Sequence, residues 1–307
     1  MMRFRIIFFF LFTQILFAQK TSVVIDTDSA NEVDDLFAIL GALTEVKFDV
    51  VGITASQFHT SPYASKNTAL ESKIINDSIL SLLDYKSIPS LIGSNHPITD
   101  LDLLINSEAS DFIIKKAKLF SKKNPLTIIV LGSCTNIATA ILKDPTIINN
   151  IKVYYLGFWH DHITNSYDFN EFNTKNDPIA VNVLLNNNDL DLTIMSATTS
   201  KDLIFNKSMV FSKLNNYDKL GLYLINRWES YKRWWTKIDQ ENNKWIMWDV
   251  ALVEAIANND IAFKSLFDTP MTKSKRKINI YTSINSKKMI EVYWKKIDSY
   301  YNKLNNE

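Results

Sequence analysis

The chain has 307 residues, 34 basic and 33 acidic side chains, a net charge of +1 with neutral histidines, and 46% hydrophobic residues. That is enough to bury a sizeable core in one large unit, and too balanced to point to nucleic acid or an anionic lipid surface as a partner. Cys134, the only cysteine, excludes an internal disulfide, and the histidines (His59, His96, His160, His162) show no HExxH spacing, which argues against a zinc hydrolase of that type.

The opening stretch MMRFRIIFFFLFTQILFAQK joins two arginines, an apolar run and the small residue Ala18, the layout of a secretory signal peptide. The run is shorter than the ~20 residues that span a bilayer. No cysteine follows it to carry a lipid anchor. The expectation is a cleaved leader over residues 1–19 and a single domain over 20–307, exported to the periplasm or secreted and free of the membrane after cleavage.

From Ser22 to about Met195, short apolar runs alternate with longer amphipathic ones without a Pro/Gly/Ser-rich linker. Residues 23–26, 49–55, 126–131, 153–157 and 192–195 are predicted as buried strands, and residues 35–43, 64–83, 108–121, 135–142 and 178–186 as helices. This alternation implies an α/β fold: a mostly parallel, Rossmann-like central sheet flanked by helices, with the chemistry at the carboxyl ends of the strands. Beyond Ser200 the pattern turns helical. KLGLYLINRWESYKRWW sets Leu224, Trp228, Tyr231 and Trp235 on one helical face, and a second helix is expected from Asp249 through ALVEAIA. KINIYTSI and KMIEVYW read as a closing β-hairpin.

The segment VVIDTDSANEVDD, residues 23–35, crowds Asp26, Asp28, Glu32, Asp34 and Asp35 behind the first strand. Capping is the ordinary account, since Ser29 with Glu32 matches a capping box and Asn31 with Asp34 could cap in the same way. Acids in a first helical turn also suit the helix dipole. Capping does not explain Asp26 and Asp28, which lie two apart on an extended segment and so lean to one side. Asp35 can face the same crevice, whereas Asp34 is rotated by about a third of a turn and must face something else. Carboxylates without Cys or His suit a hard cation, Ca²⁺ or Mg²⁺. A strand followed by D-x-D also fits the haloacid-dehalogenase-like phosphatases, with Asp26 as nucleophile, although Ser29 and Ala30 stand where Gly-Thr is usual.

DTDSANEVDDLFAI resembles the amino-terminal signature of nucleoside hydrolases of the inosine-uridine type, carrying two residues more than the commonest D-x-D-P-G-x-D-D form. Three further segments recur in family order, each of which alone would pass for a capped turn, a polar loop or a packed tryptophan. LTIIVLGSCTNIATAI is similar to the family's strand and turn ending in L-T-N-[IL]-A, with Cys134 at the usual Leu; the resemblance gives the Leu131 carbonyl to calcium. NSYDFNEFNTKNDPIA resembles N-x5-E-F-N-x3-D-P-x-A, which implies that Asn165, Glu171 and Asn173 bond ribose hydroxyls. WIMWDVALVEAIA resembles the segment whose Asp, here Asp249, binds both calcium and ribose; Trp248 stands where many relatives have His, as in purine-preferring members. In ITASQFHTSPYASKNTALE the Gly-Asn of many relatives is missing, and Gln57 and His59 stand nearby.

Across residues 22–257 the resemblance implies hydrolysis of ribonucleosides to ribose and free base, with Ca²⁺ held by Asp28, Asp35, the Leu131 carbonyl and Asp249. Asp28 would take the proton of the attacking water, Asp34 with Asn173 the 2′-hydroxyl, and Asn165 with Glu171 the 5′-hydroxyl, while Asp26 orients them from behind. Trp248 would stack on a purine, opposed by Trp159 or by one of Trp228, Trp234, Trp235 and Trp245, of which Trp228 and Trp235 fall on the helical packing stripe. His160 and His162, in WHDHITN, are alternative leaving-group acids. The implied partner is a small-molecule nucleoside, in salvage, with no nucleic acid, and self-association into a homo-oligomer stays open. An exported protein that binds nucleoside or sugar without turnover is the non-enzymatic alternative.

Overall fold

The computed structural model describes residues 20–270 and 276–304; the expected leader over residues 1–19 lies outside the described residues. Among the described residues eight strands form the central sheet, in the order Ala262–Asp268, Lys277–Ile284, Asp191–Ser196, Ile151–Gly157, Leu126–Val130, Thr21–Thr27, Phe48–Ala55, Ser90–Ile92. Neighbours are parallel except the edge pair Ala262–Asp268 and Lys277–Ile284. The strand pleat sends alternate side chains to opposite faces. Val23, Ile25, Ile129 and Leu156 pack on one side with helices Asp34–Leu43, Trp248–Ala257 and Ser286–Leu304. Val24, Ile128, Val130 and Val153 pack on the other with helices Glu108–Ala117, Thr135–Lys143 and Pro178–Asn186.

Strand Thr21–Thr27 is the pivot, since the chain leaves it toward Phe48–Ala55 on one side and later returns to Leu126–Val130 on the other. Such a reversal opens a crevice at the carboxyl ends of the strands. Asp26 pairs with Val130 there, and the Leu131 N–H donates to the Asp26 carbonyl at 2.7 Å.

Two expected elements are differently built. KINIYTSI is a strand, but its hairpin partner is Ala262–Asp268, and KMIEVYW lies within helix Ser286–Leu304. Its β-branched and aromatic residues suggest a strand, yet Met289, Tyr293 and Ile297, four apart and fully buried, form a helical stripe. Helix Asp218–Ser230 carries Leu224 and Trp228 into the core and then ends, with Tyr231 extended at φ −75° and ψ 132°. Trp235 therefore leaves the packing stripe for a loop.

Candidate active site

Thr27 closes the first strand, the Asn31 N–H donates to the Asp28 carbonyl at 2.7 Å, and the helix starts at Asp34. Neither expected capping box forms, because Ser29, Glu32 and Asp34 find partners across the fold. Val33 occupies the N-cap without a side-chain bond. Ser29 Oγ donates to Asn76 Oδ1 at 2.7 Å and to the Ser72 carbonyl at 3.0 Å, while Glu32 Oε2 accepts from Trp245 Nε1 at 3.2 Å.

Asp34, Asp35 and Asp249 each bring a carboxylate oxygen within 4.8 Å of the others. Helical rotation does not turn Asp34 away: the Asp249 N–H, in the open first turn of helix Trp248–Ala257, donates to Asp34 Oδ2 at 3.2 Å. Asp35 accepts from Thr27 Oγ1. Asp28 is buried beside them, with Oδ2 lacking any hydrogen-bond partner, and Asn31 Oδ1 is buried and unpartnered in the same wall. A Cβ at Gly132 would fall 2.3 Å from Ser56 Oγ and 2.8 Å from Asp28 Oδ1, so only glycine lets the neighbouring strand end come this close.

Burial, and then repulsion from neighbouring carboxylates, Glu32 foremost for Asp34 and Asp35 for Asp28 and Asp249, holds Asp28, Asp34 and Asp249 well above the usual carboxylate range. Burial raises Asp35 to about 6 against the opposing Thr27 bond. No ion pair between described residues reaches any of the four. Buried acids that have no basic partner among the described residues, with one oxygen unpartnered there, fit a hard divalent cation.

All four acids, together with Leu131, Glu171 and Asn173, line one cavity of about 450 Å³. Asn173 Nδ2 donates to the Leu131 carbonyl at 2.6 Å and to the Leu156 carbonyl at 3.2 Å, so the expected calcium carbonyl and ribose amide face each other. A second lone pair stays on the Leu131 oxygen. Glu171 is the N-cap of helix Phe172–Asn176, accepting from the Asn173 and Thr174 N–H groups at 2.9 Å and from the Phe158 N–H at 3.0 Å.

Several expected contacts lie elsewhere. Asn165 is not among the cavity-lining residues: its Nδ2 donates to the Asp268 carbonyl at 3.2 Å and its Oδ1 lies 3.0 Å from His160 Nε2. The small ribbon Trp159–Asp161 and Ser166–Asp168 leads Asn165 toward the sheet edge, and Asn170 lines the cavity. His160 packs between Tyr167 and Phe267, each ring 4.7 Å away, and burial lowers its pKa. His59 Nδ1 lies 2.7 Å from Gln57 Oε1, and Gln57 donates to Thr135 and to the Asn176 carbonyl. Gln57, His59, His160 and His162 are all outside the cavity wall.

Aromatic rings line the rest of the cavity: Trp159, Trp234, Trp235, Trp248 and Phe172. Trp159 meets Trp248 edge to face at 5.8 Å and 85°, so these two do not form parallel walls. Trp228 and Trp245 are fully buried core residues. Glu32, read from sequence only as a cap, lines the cavity, and burial raises its pKa to about 7. Its signal was the two-residue insertion that carries it.

Asp26 is fully buried behind the cavity, with Oδ1 accepting from Thr54 Oγ1 at 2.7 Å and from Asn136 Nδ2 at 2.8 Å, and Oδ2 unpartnered. Burial raises its pKa to about 7. Enclosed in this way it cannot reach a phosphoryl group, which removes the phosphatase reading.

Comparison with known proteins bears on the fold and the family. A protein of Arabidopsis thaliana named probable uridine nucleosidase 2 is 24% identical over 183 residues, covering 54% of this chain and 56% of that relative. A rice (Oryza sativa subsp. japonica) protein named probable uridine nucleosidase 1 is 21% identical over 245 residues, covering 72% of each. The structure of the purine-preferring ribonucleoside hydrolase from Gardnerella vaginalis superposes with a TM-score of 0.71 at 17% identity, over 91% of this chain and 99% of that one. The model of the inosine-uridine preferring nucleoside hydrolase family matches residues 23–298, from the first buried strand into the last helix, and the chain belongs to that family.

Proposed function

We propose that this protein hydrolyses the N-glycosidic bond of ribonucleosides, releasing ribose and the free base, with Ca²⁺ as resident cation and purine nucleosides preferred. The observation that carries the reading is the meeting of Asp28, Asp34, Asp35 and Asp249, buried and without a basic partner, in the wall of a cavity that is otherwise aromatic. A volume of about 450 Å³ is within the ordinary range for a small-molecule site.

Asp28, Asp35, Asp249 and the Leu131 carbonyl would hold the ion. Bound there, a hard divalent cation would supply Lewis acidity to the attacking water and would keep the acids ionised. Asp28, with a free buried oxygen, accepts the proton of that water. Asp34 and Asn173 take the ribose 2′-hydroxyl; Glu171 backs the 5′ side with Asn170, which stands in the cavity wall where Asn165 does not. Fixed carboxylates around the sugar stabilise the positive charge that develops as the base departs. Trp248 supplies an aromatic face to the base, with Trp234 or Trp235 on the other side.

The names of relatives point to different bases, uridine for the plant proteins and purines for the Gardnerella enzyme. The indole-rich wall favours the larger purine ring. A reducing-sugar assay with inosine, adenosine, guanosine, uridine and cytidine, with and without chelator, tests the proposal. Purine nucleosides should be cut faster than uridine, and chelation should abolish turnover. Equal rates on uridine would overturn the purine preference, undiminished hydrolysis in chelator the calcium role, and binding without turnover the enzymatic reading. Residues 1–19 are proposed as an export leader; amino-terminal sequencing of the exported protein should begin near Gln19 or Lys20.

A further inference from the structure

Glu32 is the cavity-lining acid that the mechanism above leaves without work. Its carboxylate neighbours Asp34 and Asp28 and is fixed by residues of a later segment. Trp245 Nε1 donates to Oε2 at 3.2 Å, and Arg233 holds Trp245 in place, its guanidinium 5.1 Å from that ring and 5.6 Å from the ring of Trp235. Arg233 is itself tied down, Nε donating to Asn242 Oδ1 at 2.8 Å and Nη1 to the Lys244 carbonyl at 2.9 Å. The same segment delivers Trp234, Trp235 and Ile246 to the cavity. Glu32 therefore stands where the acid cluster meets the aromatic part of the cavity.

The Trp235 indole N–H is also directed at the Glu32 carboxylate, although among the described residues it closes no full hydrogen bond, so two indoles orient this acid. A carboxylate acceptor oriented in this way in the wall of an aromatic cavity matches a heteroaromatic edge that presents an N–H. Nucleobase edges are of this kind. We propose that Glu32 is a specificity-determining residue: its carboxylate accepts a hydrogen bond from an N–H of the nucleobase, and bases that present such an N–H are selected over those that do not. The inference rests on the nucleoside reading of the cavity.

Inosine and purine riboside share the purine ring and differ at the N1–H and 6-oxo edge, so the change in their kcat/KM ratio on altering Glu32 reads this contact. Wild type should favour inosine by about 10-fold or more, the range expected when a site's charged hydrogen-bonding group loses its partner. In Glu32→Ala the ratio should fall toward one, and Glu32→Gln, whose amide oxygen still accepts, should keep part of it. Trp245→Phe, which removes the N–H that orients Glu32 while keeping the ring, should lower the ratio as well. A ratio maintained within about twofold in Glu32→Ala, or an equal loss on both substrates and on p-nitrophenyl riboside, would overturn the proposal and place Glu32 with the sugar or the acid cluster. If wild type cleaves none of the three, the hydrolysis reading fails; the same ratio taken from equilibrium dissociation constants then decides on Glu32 alone.

Discussion

Asp28 has an unpartnered buried oxygen, three carboxylate neighbours and a glycine backbone pressed against it. Asp28→Asn keeps the shape and removes both the charge and the proton acceptor, so kcat should fall by about 100-fold or more, with weaker Ca²⁺ binding by calorimetry. Retained turnover would move the base elsewhere. Gly132→Ala should be nearly as damaging, because its Cβ has no room that does not displace Asp28. The grouping of Asp28 with Asp35 was legible in sequence because one strand end and one helix start carry them, whereas helical rotation alone turns Asp34 elsewhere and the Asp249 N–H brings it back. Glu32 and Asn165 were not: their partners, Trp245 and Asp268, lie 213 and 103 residues away, and no local pattern encodes such a contact.

Helix Ser286–Leu304 is bolted to the amino-terminal helix through Tyr293, whose hydroxyl donates to the Phe37 carbonyl at 2.9 Å beside Gly41. Tyr293→Ala should cost about 3–5 kcal/mol in chemical denaturation, in line with other buried aromatic truncations. The run was legible as apolar but not as helical, since β-branched and aromatic residues serve either period until the buried positions are known. The segment after Ser230 behaves oppositely, because Arg233 holds it through hydrogen bonds and ring stacking and not through a core stripe. Arg233→Ala should therefore raise KM for nucleosides several-fold, by loosening Trp234 and Trp235, with a smaller change in Tm than Tyr293→Ala. The opposite ranking would show that this segment is structural and not part of the site.

Across the whole molecule the acid cluster couples stability to pH. Asp35 at about 6 and Asp26 at about 7 both lie above their ordinary 3.8, so between about pH 4 and 7 the folded state binds more protons than the unfolded chain. Stability must then fall as pH rises through that window. In chelator Tm should be lower at pH 7.5 than at pH 5, and excess Ca²⁺ should shrink or reverse the fall. A Tm that rises with pH in chelator would contradict this. The parallel sheet and the edge that carries the cavity were legible from the alternation of elements, whereas the antiparallel edge strand Ala262–Asp268 was not, its exposed Phe263 and Leu266 masking any strand period. Of the seven tryptophans, Trp159, Trp234, Trp235 and Trp248 line the cavity. The protein thus carries its own optical probe: a nucleobase entering among these indoles should quench their emission, so that an inactive Asp28 variant can report ligand binding without any label.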